Sequence, residues 1–339
     1  MMKAARINRY KQAVPTIEEI PMPDIGEEDV LVKVLAASIN PIDLKTKDGG
    51  LRMLLNYQMP LTLGSDFAGV IVQAGRHVQK FQPGDAVYGR VQKNRIGTFA
   101  EYLAVSQKDI AFKPKNLSFE EAAAIPLVGL TSYQALHDIM LIQPNQKVLI
   151  QAGSGGIGTI AIQIAKNLGA FVATTTSQKN TALVRSLGAD LVIDYKTEDF
   201  TDLKDYDHVF DTQGGQTLAD AFKIIKAGGN VVTISGLPTA QFAKEAGLPL
   251  WKRGLFAIAS RRLTNLAKKR AASYTFLFMK PSGQQLQLLT EMIEQGQIKP
   301  IVDRIFPLAA IQEAFAYSKA GHARGKIILK IADEVEKTS

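Results

Sequence analysis

The residues of this sequence best suited to chemistry are three glycines, Gly153, Gly155 and Gly158, at the spacing G-x-G-x-x-G. They follow an apolar run, residues 148–150, typical of a buried parallel strand, and precede an apolar stripe at helical spacing up to Leu168. Strand, tight turn and helix form the context of a dinucleotide-binding turn. The helix N-terminus favours a pyrophosphate, which a Cβ in the turn would obstruct. The pattern therefore predicts a dinucleotide site.

The next strand, residues 171–176, indicates which dinucleotide binds. An NAD site usually carries Asp or Glu there, about 20 residues after the first glycine, to bind the ribose 2′-hydroxyl. After Gly153 the first acidic residue is Asp190. The end of the strand instead offers hydroxyl groups and a cation for a 2′-phosphate, from Thr176, Ser177 and Lys179. NADP is therefore predicted, although Ser177 is equally explained as a helix cap and Lys179 as a solvated charge.

The composition excludes several mechanisms. With 339 residues, 46% of them apolar, the chain is long enough for two packed domains. It contains no cysteine, which excludes disulfides, a thiolate nucleophile and cysteine-ligated zinc. No two histidines stand at the close spacing of metal sites, so no metal site is predicted; they are His77, His137, His208 and His322.

The N-terminal residues show no targeting segment, because basic residues interrupt them before any apolar stretch of signal-peptide length. No run approaches the ~18 consecutive apolar residues of a membrane span. We therefore expect a soluble, cytoplasmic protein without a membrane partner.

The net charge of +8 (40 basic minus 32 acidic residues) comes from one segment. Between Ala246 and Thr290 there is no acidic residue, and eight basic residues occur between Lys252 and Lys280. This segment could bind nucleic acid, but few aromatic residues are interleaved for base stacking, and the apolar run 274–279 is better explained as core. A solvated face, or attraction for an anionic substrate and cofactor, explains the charge. A nucleic-acid partner is not favoured.

The order of elements predicts an α/β protein. Residues 1 to about 124 consist mostly of short strands and turns, typical of a barrel-like β-rich domain. Strands and helices then alternate, which indicates a doubly wound parallel sheet. Ser235 and Gly236 follow the end of one strand, where small residues leave room for ribose and nicotinamide, although turn chemistry also explains the glycine. The strand candidate Tyr274–Met279 would be an exposed edge, so we expect it to pair with its copy in a homodimer.

Motifs spread over nearly the whole chain indicate a family. They are Asn40-Pro41-Ile42-Asp43-Leu44-Lys45, Gly64-x-Asp66-x-x-Gly69-Val70, Pro83-Gly84-Asp85-x-Val87-Tyr88-Gly89, Gly97-Thr98-Phe99-Ala100-Glu101-Tyr102, Pro126-Leu127-x-Gly129-Leu130-Thr131-x-Tyr133, Gly153-Ser154-Gly155-Gly156-Ile157-Gly158 and Gly325-Lys326. On these residues the chain resembles the medium-chain dehydrogenase/reductase superfamily, specifically its zinc-free NADPH quinone and enone reductase branch.

The resemblance implies a GroES-like catalytic domain of residues 1–124 and 283–339 and an NADP-binding Rossmann domain of residues 125–282. Zinc-dependent members bind their metal through a cysteine and a Gly-His-Glu stretch, where this chain has Gly64-Ser65-Asp66. The resemblance also implies the cofactor-binding residues Gly153, Ser154, Gly155, Gly156 and Ile157, with Lys179, Tyr195 and Arg324 at the 2′-phosphate.

The chemistry that remains is hydride transfer, which the cofactor supplies while the protein orients the reactants and stabilises developing charge. Reduction of a quinone or an α,β-unsaturated carbonyl forms a delocalised oxygen anion that modest hydrogen-bond donors can support. A simple ketone forms a localised alkoxide, which requires zinc or a strong acid. The candidate donors are Asn40, Lys45, Tyr57 and Thr131; Asn40 is also explained as a turn residue and Lys45 as a surface charge.

Three other functions stay open from the sequence. A metal-free carbonyl reductase or enoyl reductase shares the fold and differs only in its substrate. A catalytically silent NADPH sensor would bind the cofactor without turnover. A nucleic-acid-binding protein is the alternative from a different class.

Overall fold

The computed structural model describes residues 1–333, and the chain divides into two compact units. The first contains Met1–Leu130 and the segment from Lys280 onward, and the second contains Thr131–Met279. The sequence placed these divisions at 124/125 and 282/283. The observed boundary between Leu130 and Thr131 falls within the helix Pro126–Tyr133. Proline is favoured at the first position of a helix, so Pro126 begins this helix.

The strands, numbered along the chain, are β1 (Met2–Ile7), β2 (Thr16–Ile20), β3 (Asp29–Ile39), β4 (Leu61–Thr62), β5 (Asp66–Ala74), β6 (Ala86–Arg90), β7 (Tyr102–Ser106), β8 (Ile110–Phe112), β9 (Lys147–Ile150), β10 (Phe171–Thr176), β11 (Leu191–Asp194), β12 (Tyr206–Asp211), β13 (Ile225–Thr233), β14 (Ser273–Phe276), β15 (Val302–Pro307) and β16 (Lys326–Lys330).

The α-helices are α1 (Pro41–Lys47), α2 (Phe119–Ala123), α3 (Pro126–Tyr133), α4 (Gly156–Asn167), α5 (Thr181–Ser186), α6 (Gly215–Ile224), α7 (Ala240–Glu245), α8 (Leu250–Lys269), α9 (Gly283–Glu294) and α10 (Ile311–Ala320). A π-helical segment, Gln134–Ile139, continues α3. Short 3₁₀ turns occur at Gln107–Asp109, Gln178–Asn180, Phe200–Asp202 and Leu308–Ala310.

The first unit is β-rich. Its larger sheet has the order β15-β16-β3-β5-β6-β8, with β7 also paired to β3, and a smaller sheet has the order β2-β1-β4. All these pairs are antiparallel except β15 with β16. The long strand β3 is buried along nearly its whole length, since it lies between other strands, and its Val32 and Val34 pack in a core with Phe67 and Phe99.

The second unit is built on a fully parallel sheet with the order β11-β10-β9-β12-β13-β14. Numbered from β9, this is the order 3-2-1-4-5-6 of a Rossmann sheet, whose direction reverses between β9 and β12. The strands are buried on both faces, which explains their continuous apolar runs. The predicted α/β fold, a doubly wound sheet with a β-rich GroES-like domain, is confirmed.

Two elements differ from expectation. The apolar run 274–279 forms only the short edge strand β14. The basic segment, which shows no clear period in the sequence, forms the 20-residue helix α8. Within residues 1–333, no helix combines the length and apolar character needed to cross a bilayer.

Candidate active site

The glycine turn joins β9 to α4 at the point where the parallel sheet reverses direction. A Cβ on Gly153 would lie 2.1 Å from Thr174 Oγ1, and one on Gly158 would lie 2.4 Å from the carbonyl oxygen of Ala152. Both distances are far below van der Waals contact. These two glycines are therefore required by the packing of the turn against β10 and α4.

Gly155 is different. Among the described residues, its added Cβ would meet only the carbonyl oxygen of Ala152, at 3.3 Å. Gly155 is also the N-cap of α4 and has no side chain to cap the helix. The first N–H groups of α4 therefore have no side-chain cap from this residue, and such groups at a helix N-terminus can bind an anion. Packing accounts for Gly153 and Gly158, and the obstruction of a pyrophosphate by a Cβ stays a prediction, for which Gly155 has the room.

Ser154 connects the turn to the end of β10. Its Oγ accepts hydrogen bonds from Thr176 Oγ1 at 2.9 Å and from Asn180 Nδ2 at 3.0 Å. Asn180 Nδ2 also lies 3.3 Å from Ser177 Oγ. The structure thus brings Ser154, Thr176 and Ser177 together, as the predicted nucleotide site requires.

Asn180 is a member of this site that the sequence reasoning missed. Its side chain is buried, and within residues 1–333 its Oδ1 has no hydrogen-bond partner. A buried acceptor without a partner is costly unless a ligand or water satisfies it. The open glycine turn and this acceptor fit a bound dinucleotide. The only sequence signal was the position of Asn180 four residues after the strand end.

Lys179 and Tyr195 lie exposed near the C-terminal end of β10. Lys179 is in the 3₁₀ turn that follows the strand, and the backbone N–H of Tyr195 donates to the carbonyl oxygen of Thr176 at 3.2 Å. The neighbouring strand adds an acidic residue, because Asp194 is in register with Thr176. Its Oδ1 accepts from the backbone N–H of Lys196 at 3.1 Å, so one carboxylate oxygen is used to cap the turn.

Ser235 and Gly236 are held by Thr233, which in turn donates to a buried aspartate at the end of the neighbouring strand β12. Asp211 Oδ2 accepts from Thr233 Oγ1 at 2.5 Å, and Oδ1 accepts from the backbone of Gly214 at 3.0 Å. Thr233 Oγ1 in turn accepts from the N–H groups of Ser235 and Gly236 at 3.1 and 2.9 Å. Burial raises the pKa of Asp211. This pair, absent from the sequence prediction, positions the loops after β12 and β13.

In the first unit, Asn40 lies in a buried polar cluster. Its Nδ2 donates to Asp66 Oδ2 at 3.0 Å and lies 3.3 Å from the carbonyl oxygen of Ser38, while its Oδ1 accepts from Lys326 Nζ. Its backbone N–H donates to Asp43 Oδ2 at 2.8 Å. Asn40 is only 1% exposed. Its amide is thus engaged inside the unit, where it orients the cluster.

Four ionisable side chains belong to this cluster: Asp43, Asp66, Arg90 and Lys326, each at most 4% exposed. Arg90 interacts electrostatically with both aspartates. Burial raises the pKa of Asp43 to about 7, with a further contribution from Asp66. Burial lowers the pKa of Lys326 despite the attraction of both aspartates. In the part of the chain that the structure describes, no group of three or more His, Cys, Asp or Glu is placed to hold a metal ion.

The structure does not bring Lys45 to this cluster. The buried residues of α1 are Asp43, Thr46 and Lys47, and Lys45 lies on the exposed side of the same helix. The lysine that reaches the cluster is Lys326, from the far end of the chain. Asp43 and Lys45 therefore lie on different sides of this short helix, and the role of Lys45 as a donor stays a prediction.

Tyr57 and Thr131 have different surroundings. Tyr57 is half-buried, and its hydroxyl donates to the carbonyl oxygen of Lys93 at 2.6 Å. Burial raises the pKa of Tyr57 to about 12 and lowers that of Lys93 to about 7. Thr131 is buried in α3, at 3% exposure. No signal in the sequence indicated that the backbone of Lys93 accepts from Tyr57.

Arg324 is exposed and precedes β16 in the first unit, so its cofactor role stays a prediction.

A Rossmann sheet with a glycine turn at its switch point defines a dinucleotide-binding protein. Residues 26–115 match the family model described as alcohol dehydrogenase GroES-like domain, and residues 187–329 match the one described as zinc-binding dehydrogenase.

Relatives of known function cover most of the chain. Human mitochondrial NAD(P)H oxidoreductase RTN4IP1 is 34% identical over 98% of this chain and 89% of its own length. The chloroplastic NADPH-dependent alkenal/one oxidoreductase of Arabidopsis thaliana is 36% identical over 91% of this chain and 74% of its own length. The quinone oxidoreductase structure from Coxiella burnetii has a TM-score of 0.84, with 31% identity over 98% of this chain and 99% of that one.

The chain therefore belongs to the medium-chain dehydrogenase/reductase superfamily, among its quinone and enone oxidoreductases. It is an oxidoreductase that uses a nicotinamide cofactor.

Proposed function

We propose that this protein is an NADPH-dependent oxidoreductase that transfers hydride to quinones or α,β-unsaturated carbonyl compounds without zinc. The observation that carries this proposal is the end of β10, where hydroxyl groups and a lysine stand in place of an acidic residue. Thr176 donates to Ser154 of the glycine turn, and Asn180 links Ser154 to Ser177. Lys179 follows in the 3₁₀ turn. A 2′-phosphate is compatible with these groups, because no carboxylate ends β10 itself. Asp194 of the neighbouring strand has one carboxylate oxygen engaged by the backbone N–H of Lys196.

Each cofactor-binding residue has a proposed role. The N–H groups that begin α4 beyond Gly155 would bind the pyrophosphate, with Gly156 and Ile157 in the first turn. Lys179, Tyr195 and Arg324 would bind the 2′-phosphate. Ser235 and Gly236, held by Thr233, would border the ribose and nicotinamide. When bound, the nicotinamide supplies the hydride, and the protein positions it.

The acceptor class follows from the charge that the reaction creates. Hydride addition to an enone or a quinone produces a delocalised anion, which neutral donors can stabilise. The chain has no cysteine for a zinc site of the alcohol-dehydrogenase type, and Gly64-Ser65-Asp66 replaces the Gly-His-Glu stretch. Relatives named for alkenals, enones and quinones support the same acceptor class.

Of the proposed donors, Tyr57 has the clearest chemistry. Its pKa of about 12 keeps the phenol protonated at neutral pH, and its single O–H, which donates to the carbonyl oxygen of Lys93, would turn to the acceptor to stabilise the developing anion. Tyr57→Phe, Thr131→Val and Lys45→Met should each lower kcat. Unchanged turnover of Lys45→Met on every accepted enone would remove Lys45 from the site. Asn40 has a positioning role in the proposal, because its amide is engaged with Asp66 and Lys326.

One assay tests the proposal. Oxidation of NADPH and of NADH is measured with and without a chelator against quinones, enones and simple ketones. We expect a preference for NADPH, quinones or enones as the best acceptors, and no effect of the chelator. Simple ketones as the best acceptors would support a carbonyl reductase instead. Cofactor binding without turnover on any acceptor would support a sensor, and loss of activity with chelator would contradict a zinc-free mechanism.

The proposal includes a homodimer formed through the edge of the parallel sheet. β14 (Ser273–Phe276) ends that sheet and overlaps the strand expected over Tyr274–Met279. An unpaired edge is a site for strand pairing between copies. Sedimentation equilibrium should give twice the monomer mass. A monomer at micromolar concentration would contradict the dimer, and this result is independent of the assay above.

A further inference from the structure

The helix α8 exposes an apolar surface that the catalytic proposal does not use. One side of the helix is buried through Phe256, Ser260, Leu263 and Ala267, which recur at helical spacing. Away from this side, the first two turns expose large apolar side chains. The exposed fractions are 77% for Leu250, 61% for Trp251, 44% for Leu255 and 76% for Ile258. Scattered exposed apolar residues are ordinary, but four within nine residues of one helix form a patch.

The second half of the same helix is basic where the first half is apolar. Arg261, Arg262, Lys268 and Lys269 are all exposed, and α8 contains no acidic residue. Acidic residues are absent from the sequence throughout 246–290. At about 1.5 Å per residue α8 is about 30 Å long, so the exposed apolar side chains of its first half and the exposed cations of its second half follow one another along the helix.

We propose that this exposed surface of α8, residues 250–269, attaches the protein to the surface of anionic lipid bilayers. The apolar side chains would enter the boundary between headgroups and acyl chains, where tryptophan is favoured, and the cations would contact lipid phosphates. Long Lys and Arg side chains can reach the phosphates while their stems cover apolar surface. The helix lies on the bilayer and does not cross it. This revises the expectation from the sequence that no membrane partner exists.

Charge complementarity favours a lipid surface over a second copy of the chain. A second copy that pairs through the same helix would bring the same cations together, and α8 has no acidic residue to pair with them. An anionic bilayer supplies the missing negative charge continuously. Of the four exposed apolar side chains only Trp251 is aromatic, so this patch offers a nucleic acid a single residue for base stacking.

The single tryptophan of the chain is Trp251, so its fluorescence reports on this surface alone. The full-length protein is mixed with vesicles of phosphatidylcholine, or of phosphatidylcholine and phosphatidylglycerol in equal parts. Emission and co-sedimentation are then measured. We expect a blue shift and binding with the anionic vesicles only. Binding should weaken as salt increases.

Two variants separate the contributions, and both keep Trp251. The first variant removes apolar surface by Leu255→Ser with Ile258→Ser. The second removes charge by Arg261→Gln, Arg262→Gln, Lys268→Gln and Lys269→Gln. Each variant should weaken binding at least about tenfold. The matched control is Leu288→Ser with Ile305→Ser, because these residues are 43% and 49% exposed in other elements. The control should bind like the parent protein. Circular dichroism and thermal melting verify that all variants fold.

Two results would overturn the proposal. One is the absence of any blue shift or co-sedimentation with anionic vesicles at millimolar lipid. The other is Trp251 emission that is already blue-shifted without lipid, in a dimer that dissociates when Leu255→Ser and Ile258→Ser are introduced. This result would show that a second copy covers the surface. Neither result depends on NADPH oxidation.

Discussion

The ammonium of Lys326 lies 3.6 Å from Asp66 Oδ2, and the two side chains are 5% and 0% exposed. Asn40 joins them, because its Oδ1 accepts from Lys326 and its Nδ2 donates to Asp66. Asp66 Oδ1 is buried without a hydrogen-bond partner among residues 1–333. When one partner of a buried ion pair is removed, the other remains as an uncompensated buried charge, which lowers the free energy of unfolding.

Removal of one partner should therefore destabilise the first unit strongly. Lys326→Met removes the ammonium paired with Asp66 and leaves Arg90 to balance the buried carboxylates, and we expect the free energy of unfolding to fall by about 3–5 kcal/mol in urea titrations. Adding Asp66→Asn should restore most of this loss. Lys330→Met is the matched control, since Lys330 is exposed and its pair with Asp333 is on the surface; it should cost less than about 1 kcal/mol. A similar small loss for Lys326→Met would refute the buried pair.

The glycine turn predicts two different outcomes for alanine. Gly155→Ala should weaken NADPH binding at least about tenfold while leaving the melting temperature nearly unchanged, because the added Cβ faces the open side of the turn. Gly158→Ala should reduce the free energy of unfolding by about 1–3 kcal/mol, because its Cβ would collide with the backbone of Ala152 and Gly153.

Fluorescence titration with NADPH and thermal melting distinguish these two effects. Equal loss of stability in both variants would mean that Gly155 also serves packing. Unchanged NADPH affinity in Gly155→Ala would place the pyrophosphate elsewhere.

Selectivity for NADPH should depend on Lys179. Lys179→Gln removes the cation proposed for the 2′-phosphate, so the KM for NADPH should rise about tenfold while that for NADH stays the same. Steady-state kinetics with both cofactors measures this difference. Lys204→Gln, another exposed lysine of the same unit, should change neither value. An equal rise for NADH would indicate a role other than phosphate binding.

His208 should make the second unit sensitive to acid. Its Nε2 lies 2.9 Å from Gln146 Oε1 and its Nδ1 lies 3.3 Å from Asn230 Nδ2, and burial lowers its pKa to about 4. Below pH 6.5 the unfolded chain binds a proton that the folded protein does not, so the free energy of unfolding falls as the pH falls toward 4. The slope contributed by this one group is at most about 1.4 kcal/mol per pH unit.

Urea titrations at several pH values should show a smaller acid slope for His208→Gln than for the parent protein. His322→Gln, at an exposed histidine, should keep the parent slope. Identical slopes for His208→Gln and the parent would contradict a buried neutral imidazole.

The sequence alone determined the elements whose signal is local. The apolar run 148–150, the glycines after it and the helical stripe up to Leu168 predict β9, the turn and α4, because strand and helix periods and the steric freedom of glycine act over a few residues. Repetition of this unit predicts the parallel sheet, and the motifs from Asn40 to Lys326 indicate the family.

The tertiary structure decided which residues meet. Lys326 reaches Asn40 across 286 positions of the chain, whereas Lys45, five residues from Asn40, faces solvent. Spacing could not reveal that Gly155 alone faces the open side of the turn, nor that Asn180 keeps a buried acceptor without a partner among the described residues. Contacts between distant residues depend on how whole elements pack, and a local pattern carries no information about the element opposite it.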